Sequence, residues 1–336
     1  MRAEALQAPA AAARLLAADG CAYAALGAAL QGEPPLAVVT VARGSSDHAA
    51  HYLAYLVMSR LGQLVTSLPM SLVTLHDAPL RCRGLLSLAF SQSGQSPDLV
   101  APTEFFGRGG ARTVALVNDT TSPLARAAQW VLPLHAGAET SVAATKSFVC
   151  QLVAGARLVA AWQGDAPLHA ALQALPEALA AAGRADWSAA LPVLAQAERL
   201  YVVSRGTGLP VALEAALKLK EACGIQAEAY SGAELRHGPL ALVGDGYPVL
   251  VIAPRDPAQA GLLSLADDLR QRGAQVLLAA PAGVPGARLP LHPGPDPALD
   301  PITAVQSFYL LVDALAQARG LDPDAPRNLS KVTRTH

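Results

Sequence analysis

The sequence predicts a doubly wound α/β fold, built as two tandem parallel-sheet subdomains that are related by internal duplication. Two observations predict it. Short apolar runs of five to seven residues alternate with longer Ala/Leu-rich helical patterns, as expected for βαβ units whose parallel sheet is covered on both faces. The second half of the chain also repeats the landmarks of the first half at a nearly constant separation.

The first strand of each copy ends in a similar polar turn. Val38 to Ser46 (VVTVARGSS) corresponds to Leu200 to Gly208 (LYVVSRGTG), and each segment leads into a helical pattern that stops at a glycine. Those glycines, Gly62 and Gly224, are 162 residues apart, as are the arginines of the two turns. The strand, the turn and the helix are therefore expected to have equal lengths in the two copies.

Two further strands follow in each copy. Leu85 to Phe90 corresponds to Tyr247 to Ala253, and Thr113 to Val117 corresponds to Gln275 to Ala279. In each copy, the helix between these two strands ends at a basic residue followed by glycine, namely Arg108-Gly109-Gly110 and Arg272-Gly273. Gly110 lies 163 residues before Gly273, so the second copy has gained one residue.

The remaining segments connect and close the two copies. An Ala/Leu helix is predicted between Trp162 and Pro192, interrupted by Pro167, Pro176 and Gly183. The proline-rich stretch from Ala280 to Pro301 is expected to be extended, and a last helix is predicted from Ile302 to Arg319. We therefore expect an N-terminal helical segment at 1–35, subdomains at 36–160 and 193–320, connecting helices at 161–192, and a C-terminal tail at 321–336 that closes the active site.

The composition excludes several classes of protein. The 25 Lys and Arg and 26 Asp and Glu give a net charge of −1, which argues against a nucleic-acid binder. The 52% hydrophobic content argues against disorder. No charge-free apolar stretch reaches the length of about 18 residues that a membrane span needs, and no signal peptide is evident, so a cytoplasmic location is expected. The four scattered cysteines form no CxxC pair and are expected to be small buried residues.

A polar loop follows the predicted strand Leu85 to Phe90. Ser91 to Ser96 (SQSGQS) offers three hydroxyls and a glycine, and Pro97 and Asp98 then open a helix. Hydroxyls and backbone amides at a helix N-terminus form an anion site without lysine. The loop alone fits a capped polar turn equally well, and Ser45 and Ser46 fit ordinary helix caps. Neither a dinucleotide nor a nucleoside triphosphate motif is present, and no cofactor or metal is expected.

Charged residues concentrate in the second copy. Seven charged residues and one histidine lie within 24 positions: Glu214, Lys218, Lys220, Glu221, Glu228, Glu234, Arg236 and His237. Glu214, Lys218 and Glu221 share one helical face. Two interpretations remain open from spacing alone, namely an active site or a solvated face with salt bridges. Taken alone, His237 fits a structural histidine.

The motifs together resemble those of the sugar isomerase (SIS) family. Within it, they are similar to the isomerase half of glutamine–fructose-6-phosphate aminotransferase and to stand-alone glucosamine-6-phosphate deaminases. The resemblance rests on SQSGQSPD at Ser91, ETSVAATKSF at Glu139, RGT at Arg205, ALEAALKLKE at Ala212, EAY at Glu228, ELRHGPLALV at Glu234 and PRNLSK at Pro326. It implies two flavodoxin-like subdomains and covers almost the whole chain.

The resemblance also implies a role for each matching residue. The phosphate of a hexose or hexosamine 6-phosphate would be held by Ser45, Ser91, Gln92, Ser93 and Ser96. The sugar would contact Gly44, Val142, Ala143 and Ala144. Glu221 would move a proton between C1 and C2, His237 would assist ring opening, Lys218 would balance charge, and Lys331 would match an imine-forming lysine. A homodimer with shared active sites is implied, with His237 reaching the neighbouring subunit's site.

The expected reaction converts glucosamine 6-phosphate and water to fructose 6-phosphate and ammonia. The chain starts at the isomerase half, so no glutaminase domain is expected. Three positions depart from the aminotransferases, which usually have Glu, Thr and Ser where this sequence has Gln95, Ser96 and Ala144. Because Ala144 lacks the hydroxyl, the identity of the sugar substrate stays open. Galactosamine 6-phosphate, fructosamine-type compounds and plain isomerisation are alternatives. A phosphosugar-sensing module is a further one, although the roughly 35 residues before the first strand are too few for a helix-turn-helix domain with its linker.

Overall fold

The computed structural model describes residues 1–18 and 20–331, so the predicted C-terminal tail is described only as far as Lys331. The chain divides into two compact units that are interleaved along the sequence. The first-sheet unit comprises Ala10–Glu139, Lys146–Gln173, Ser330 and Lys331. The second-sheet unit comprises Met1–Pro9, Thr140–Thr145 and Ala174–Leu329.

Each unit contains a five-stranded parallel sheet flanked by helices. The elements up to the chain's midpoint are α1 (Arg2–Leu6), α2 (Ala8–Ala17), α3 (Cys21–Gly32), β1 (Val38–Val41), α4 (Ser45–Leu61), β2 (Val65–Ser67), α5 (Ser71–Thr74), β3 (Leu86–Ser91), α6 (Pro97–Arg108), β4 (Arg112–Val117), α7 (Pro123–Ala127), β5 (Trp130–Pro133) and α8 (Lys146–Gln163). The later elements are α9 (Ala166–Ala182), α10 (Leu191–Leu194), β6 (Arg199–Ser204), α11 (Leu209–Cys223), β7 (Gln226–Ser231), β8 (Pro248–Ile252), α12 (Gln259–Gln271), β9 (Gln275–Pro281), β10 (Leu289–Leu291) and α13 (Asp300–Ala318).

The two sheets have the same strand order, which confirms the predicted fold class. The first runs β2-β1-β3-β4-β5 and the second runs β10-β9-β8-β6-β7, which is the same order in its own copy. This is the flavodoxin-like order, whose switch point lies between the first and third strands. The registers also agree residue for residue, since Val39 pairs with Ser87 and Tyr201 pairs with Val249. Each residue of the second pair lies 162 positions after its counterpart.

The central strands carry the cores because their side chains are buried on both faces. All six residues of β3 are buried, and in the first-sheet unit Val41, Phe106 and Val117 pack in one cluster. In the second-sheet unit, Val203, Leu265 and Leu278 pack in the corresponding cluster. The helices α4 and α11 end as predicted, since Gly62 and Gly224 both adopt the left-handed conformation that terminates a helix.

One prediction about the connecting segment is wrong. Pro176 does not interrupt the helix, because α9 continues through it from Ala166 to Ala182. Leu172, Leu175 and Leu179 are buried on either side of the proline, and this packing outweighs the lost backbone hydrogen bond. The proline-rich stretch after residue 280 contains only the short strand β10 and a single 3₁₀ turn before α13 begins.

A membrane span needs a long helix that is apolar along its whole length. Among the described residues, no single helix is long and apolar enough to cross a membrane. The helices α2 and α3 meet the length and composition criteria only as a pair, which is bent by 67°.

The four cysteines differ in exposure. None of them, all lying in described parts of the chain, forms a disulfide. Cys82, Cys150 and Cys223 are buried as expected, but the expectation was wrong for Cys21, which is exposed at the start of α3. Burial raises the pKa of Cys150 and of Cys223 to about 12, because the thiolate would lose its hydration.

We therefore expect a thiol reagent to modify the native protein at Cys21 alone at pH 8. The reactive species is the thiolate, which is both inaccessible and disfavoured at the buried positions. Mass spectrometry after brief treatment with iodoacetamide would show one adduct on the native chain and four on the urea-unfolded chain. Rapid native modification of Cys150 or Cys223 would contradict the burial that the structure assigns to them.

Candidate functional site

The serine-rich loop Ser91 to Ser96 joins β3 to α6, as the sequence predicts. Within it, the Ser91 hydroxyl accepts a hydrogen bond from the Gly94 amide (2.9 Å), and the Ser93 hydroxyl accepts one from the Gln95 amide (3.3 Å). Gly94 has a φ of 63°, so the chain turns there in a conformation that glycine adopts at little cost. These bonds fix a tight turn at the carboxyl end of the strand.

The loop leads into the N-terminal end of a helix. Ser96 occupies the N-cap position of α6, with Pro97 and Asp98 in its first turn. Arg43, from the turn after β1, donates a hydrogen bond to Asp98 (3.1 Å). Because β1 and β3 are adjacent parallel strands, the turn that contains Gly44 and Ser45 lies at the same edge of the sheet as the loop. This edge is the switch point where ligands bind in such sheets, and two helix N-termini there favour an anion.

Gly94→Ala should disrupt this loop. A Cβ atom there would lie 2.1 Å from the hydroxyl oxygen of Ser122, which caps α7. We expect Gly94→Ala to cost about 1–3 kcal/mol more in free energy of unfolding than Gly246→Ala, since it adds overpacking to backbone strain. Gly246 is the matched control because it has a φ of 73° and no described atom within 4 Å of an added Cβ. Equal losses in urea unfolding would rule out the clash.

The second group of candidate residues lies on α11. Lys218 is 1% exposed and forms ion pairs with two carboxylates of the same helix. Its Nζ atom lies 3.6 Å from Glu214, which is fully buried, and donates a hydrogen bond to Glu221, which is 21% exposed. The interpretation as a solvated face is therefore wrong for Glu214 and Lys218, whereas Glu221 is partly exposed. A buried cation holds one buried carboxylate and one that reaches solvent.

Tyr309 completes this group and was not predicted from the sequence. Its hydroxyl, from α13, donates a hydrogen bond to Glu214 (3.0 Å), and its side chain is fully buried. The two residues are 95 positions apart, so that only the packing of α13 against α11 brings them together. Tyr309 is one of several polar residues on α13, such as Thr303 and Ser307, so the sequence alone does not distinguish it.

Tyr309→Phe is expected to destabilise the protein by about 1–3 kcal/mol, because the buried Glu214 carboxylate loses a hydrogen-bond donor. Tyr23→Phe is the control. The Tyr23 hydroxyl is also buried, but it has no hydrogen-bond partner among the described residues, so its removal should be neutral or slightly stabilising. The midpoints of urea unfolding would distinguish the two. An equal effect of the two substitutions would show that the Tyr309 hydroxyl does not support Glu214.

The other five residues of the predicted charged cluster are exposed: Lys220, Glu228, Glu234, Arg236 and His237. Glu228 accepts a hydrogen bond from Tyr230 (2.7 Å), which raises the pKa of Tyr230 to about 12 because the neutral phenol is the donor. Arg236 pairs with Asp268 (2.6 Å). His237 ends a 3₁₀ turn and lines, with Arg205 and Arg236, a cavity of about 310 Å³.

Lys331 lies in the first-sheet unit, where it meets a buried acid. Its Nζ atom is 3.3 Å from Glu139, whose side chain is fully buried. Glu139 also accepts hydrogen bonds from the backbone amide (3.1 Å) and the hydroxyl (2.5 Å) of Ser147. The sequence placed Glu139 within a motif but did not single it out, because its partner is 192 positions away.

The segment with the predicted sugar contacts is fixed at its start. The Glu4 carboxylate accepts hydrogen bonds from the Thr140 amide (2.5 Å) and the Ser141 amide (3.4 Å), and the Val142 amide donates to the Asp324 carbonyl (3.1 Å). Ala143 is buried, whereas Val142 and Ala144 are partly exposed. Among the residues that the structure describes, no group of three or more His, Cys, Asp or Glu side chains is placed to hold a metal ion.

The fold and these motifs define a class of protein. A family model described as the SIS domain matches residues 37–161 and 193–316, which are the two copies of the repeat. The chain therefore belongs to the SIS domain family.

Individual proteins are similar to most of this chain. The isomerising glutamine–fructose-6-phosphate aminotransferase of Bradyrhizobium diazoefficiens is 35% identical over 306 residues, which are 86% of this chain and 50% of that protein. The chain spans about half the length of the aminotransferases that it matches.

Solved structures agree in fold over almost the whole chain. A protein of Silicibacter pomeroyi DSS-3, provisionally named a phosphosugar isomerase, is 46% identical with a TM-score of 0.91, over 96% of this chain and 99% of that one. The C-terminal domain of the glucosamine-fructose-6-phosphate aminotransferase of Francisella tularensis is 25% identical with a TM-score of 0.85, over 96% and 97% of the two chains.

Proposed function

We propose that this protein acts on a hexosamine 6-phosphate and converts glucosamine 6-phosphate and water to fructose 6-phosphate and ammonia. The observation that carries the proposal is the partly exposed Glu221 carboxylate, held by a Lys218 that is itself buried. Transfer of a proton between neighbouring carbons of a sugar needs a positioned carboxylate of this kind. The similarity to the isomerase half of the aminotransferases supports it.

The phosphate group is assigned to the serine-rich loop. Hydroxyls and amides at the start of α6 and of α4 suit a phosphate, because helix N-termini carry partial positive charge. The residues proposed to bind it are Ser45, Ser91, Gln92, Ser93 and Ser96. The residues proposed to contact the sugar are Gly44, Val142, Ala143 and Ala144.

The proposed reaction proceeds in three steps. His237 assists opening of the sugar ring, which exposes the C1 aldehyde. Glu221 then removes the C2 proton and returns a proton to C1, so that the C2 amine becomes a C2 imine through an enolamine. Water adds to C2, ammonia leaves, and the C2 ketone of fructose 6-phosphate remains. Lys218 stabilises the negative charge that Glu221 carries before it takes up the C2 proton and after it has returned a proton to C1.

Lys331 is proposed to form an imine with the ketone of the sugar. Its amine must lose a proton before it can attack the ketone. Glu139, which holds the Lys331 Nζ atom, is an acceptor for that proton.

We also propose a homodimer in which His237 of one chain serves the active site of the other.

Plain aldose–ketose isomerisation is the second candidate. Ala144 carries no hydroxyl with which to contact the sugar. The 46% identical protein of Silicibacter pomeroyi is itself provisionally named a phosphosugar isomerase. This candidate retains Glu221 as the proton-transferring group and differs only in the absence of an amine on the substrate.

The test measures ammonia and fructose 6-phosphate together. The purified protein is incubated with glucosamine 6-phosphate, galactosamine 6-phosphate, glucose 6-phosphate and a phosphorylated fructosamine in separate reactions. The proposal expects equal amounts of ammonia and fructose 6-phosphate from the first. Ketose without ammonia, formed from glucose 6-phosphate only, would favour the isomerase. The absence of ammonia from every amino sugar would overturn the deaminase proposal.

A further inference from the structure

The second copy of the repeat has its own switch point, between β6 and β8. The matching registers make Ala253 to Ala258 (APRDPA) the positional equivalent of Ser91 to Ser96 (SQSGQS). The same offset makes Gly206 and Thr207 the equivalents of Gly44 and Ser45. None of the proposed phosphate-binding serines of the loop has a hydroxyl-bearing equivalent in the second copy.

The space around the two equivalent glycines differs between the copies. Gly44 and Gly206 have similar backbone conformations, with φ of 55° and 65°. No described atom lies within 4 Å of a Cβ atom built on Gly44. A Cβ atom built on Gly206 would lie 2.6 and 2.7 Å from the two carboxylate oxygens of Asp256. The space that is open in the first copy is therefore occupied by a carboxylate in the second.

Asp256 makes the hydrogen bonds that an anion would make at this position. Its Oδ2 atom accepts from the hydroxyl (3.1 Å) and the amide (3.4 Å) of Thr207, the equivalent of Ser45. Its Oδ1 atom accepts from the amide of Ala258 (2.8 Å), just before α12. One carboxylate thus satisfies donors at the starts of both helices that flank the switch point.

We infer that Asp256 fills the anion position of the second repeat, so that this copy takes no phosphate group from solution and the chain binds phosphate only in its first copy. The inference rests on the proposed function only for the role of the first copy. Asp256, together with the loss of the loop serines, makes the two duplicated subdomains functionally unequal. Its removal should restore an anion site that the duplication would otherwise provide.

The experiment counts bound inorganic phosphate per chain by equilibrium dialysis with radiolabelled phosphate. Asp256→Ser shortens the side chain, removes its charge and retains a hydroxyl that can cap Ala258. It is expected to bind one phosphate more than the parent protein does. Asp256→Asn is the matched control, since it keeps the shape that fills the site and is expected to bind no more than the parent.

The difference between variant and parent tests the inference, whereas the parent's own count tests the proposed phosphate site. A folded Asp256→Ser that binds as many phosphates as the parent would overturn the inference. If that variant does not fold, Asp256→Gly is measured in the same way, and thermal unfolding in added phosphate gives a second measure. A larger rise in Tm for Asp256→Gly than for the parent supports the inference, and an equal rise contradicts it.

Discussion

Lys218→Met is expected to lower the free energy of unfolding by about 3–5 kcal/mol, the usual cost of removing one partner from a buried ion pair. Lys218 is 1% exposed and Glu214 is fully buried, so the substitution leaves the Glu214 carboxylate in the interior without this cation. Methionine has a similar length and is apolar, so loss of packing contributes little. Urea unfolding followed by circular dichroism measures the change.

Two controls separate charge from packing in this experiment. Lys220→Met removes an exposed charge two residues further along α11 and should change the stability by no more than about 0.5 kcal/mol. The double substitution Glu214→Gln with Lys218→Met removes both charges and should recover part of the loss. A Lys218→Met variant as stable as Lys220→Met would show that the buried pair does not stabilise α11.

Glu221→Gln is expected to lower kcat by about 10²–10⁴-fold, the usual contribution of general acid–base catalysis. Glutamine keeps the size of the side chain and its carbonyl oxygen can still accept from Lys218, but it cannot take up a proton. The KM should therefore change little. Steady-state release of ammonia from glucosamine 6-phosphate gives both constants.

Glu228→Gln is the control for that substitution. Glu228 is exposed on β7 and contacts Tyr230, so its substitution should leave kcat unchanged. Unchanged kcat in Glu221→Gln, with the protein folded, would remove the carboxylate from the mechanism. Equal losses in both variants would indicate a nonspecific effect on the second-sheet unit.

The central strands could be predicted from sequence because they are buried on both faces and therefore appear as continuous apolar runs. The predicted Leu85 to Phe90 corresponds to β3, and the runs that start at Val38 and Leu200 overlap β1 and β6. The edge strands could not be predicted in this way. Strands β2 and β10 have only three residues each, and β7 (QAEAYS) has a single fully buried residue and an alternating sequence.

The candidate site residues also divide into those that the sequence could predict and those that it could not. The position of the Ser91 to Ser96 loop followed from local order, because a polar loop after a parallel strand lies at the strand's carboxyl end. The Glu214, Lys218 and Glu221 contacts followed from helical spacing, although their burial did not. Tyr309, Glu139 and Asp256 were not predicted, because each acts on a residue that is distant in the sequence and is brought close only by the fold.

The central claim is that Glu221 removes the C2 proton of a hexosamine 6-phosphate and, after its carboxyl proton has exchanged with solvent, returns a proton to C1. The most direct measurement is the reaction of glucosamine 6-phosphate in D₂O, with the product examined by NMR. The claim predicts fructose 6-phosphate with deuterium at C1 from the parent protein, since a carboxylate base exchanges its proton with solvent, and only trace product from Glu221→Gln. Product formed at the parent's rate by Glu221→Gln, with deuterium at C1, would contradict it.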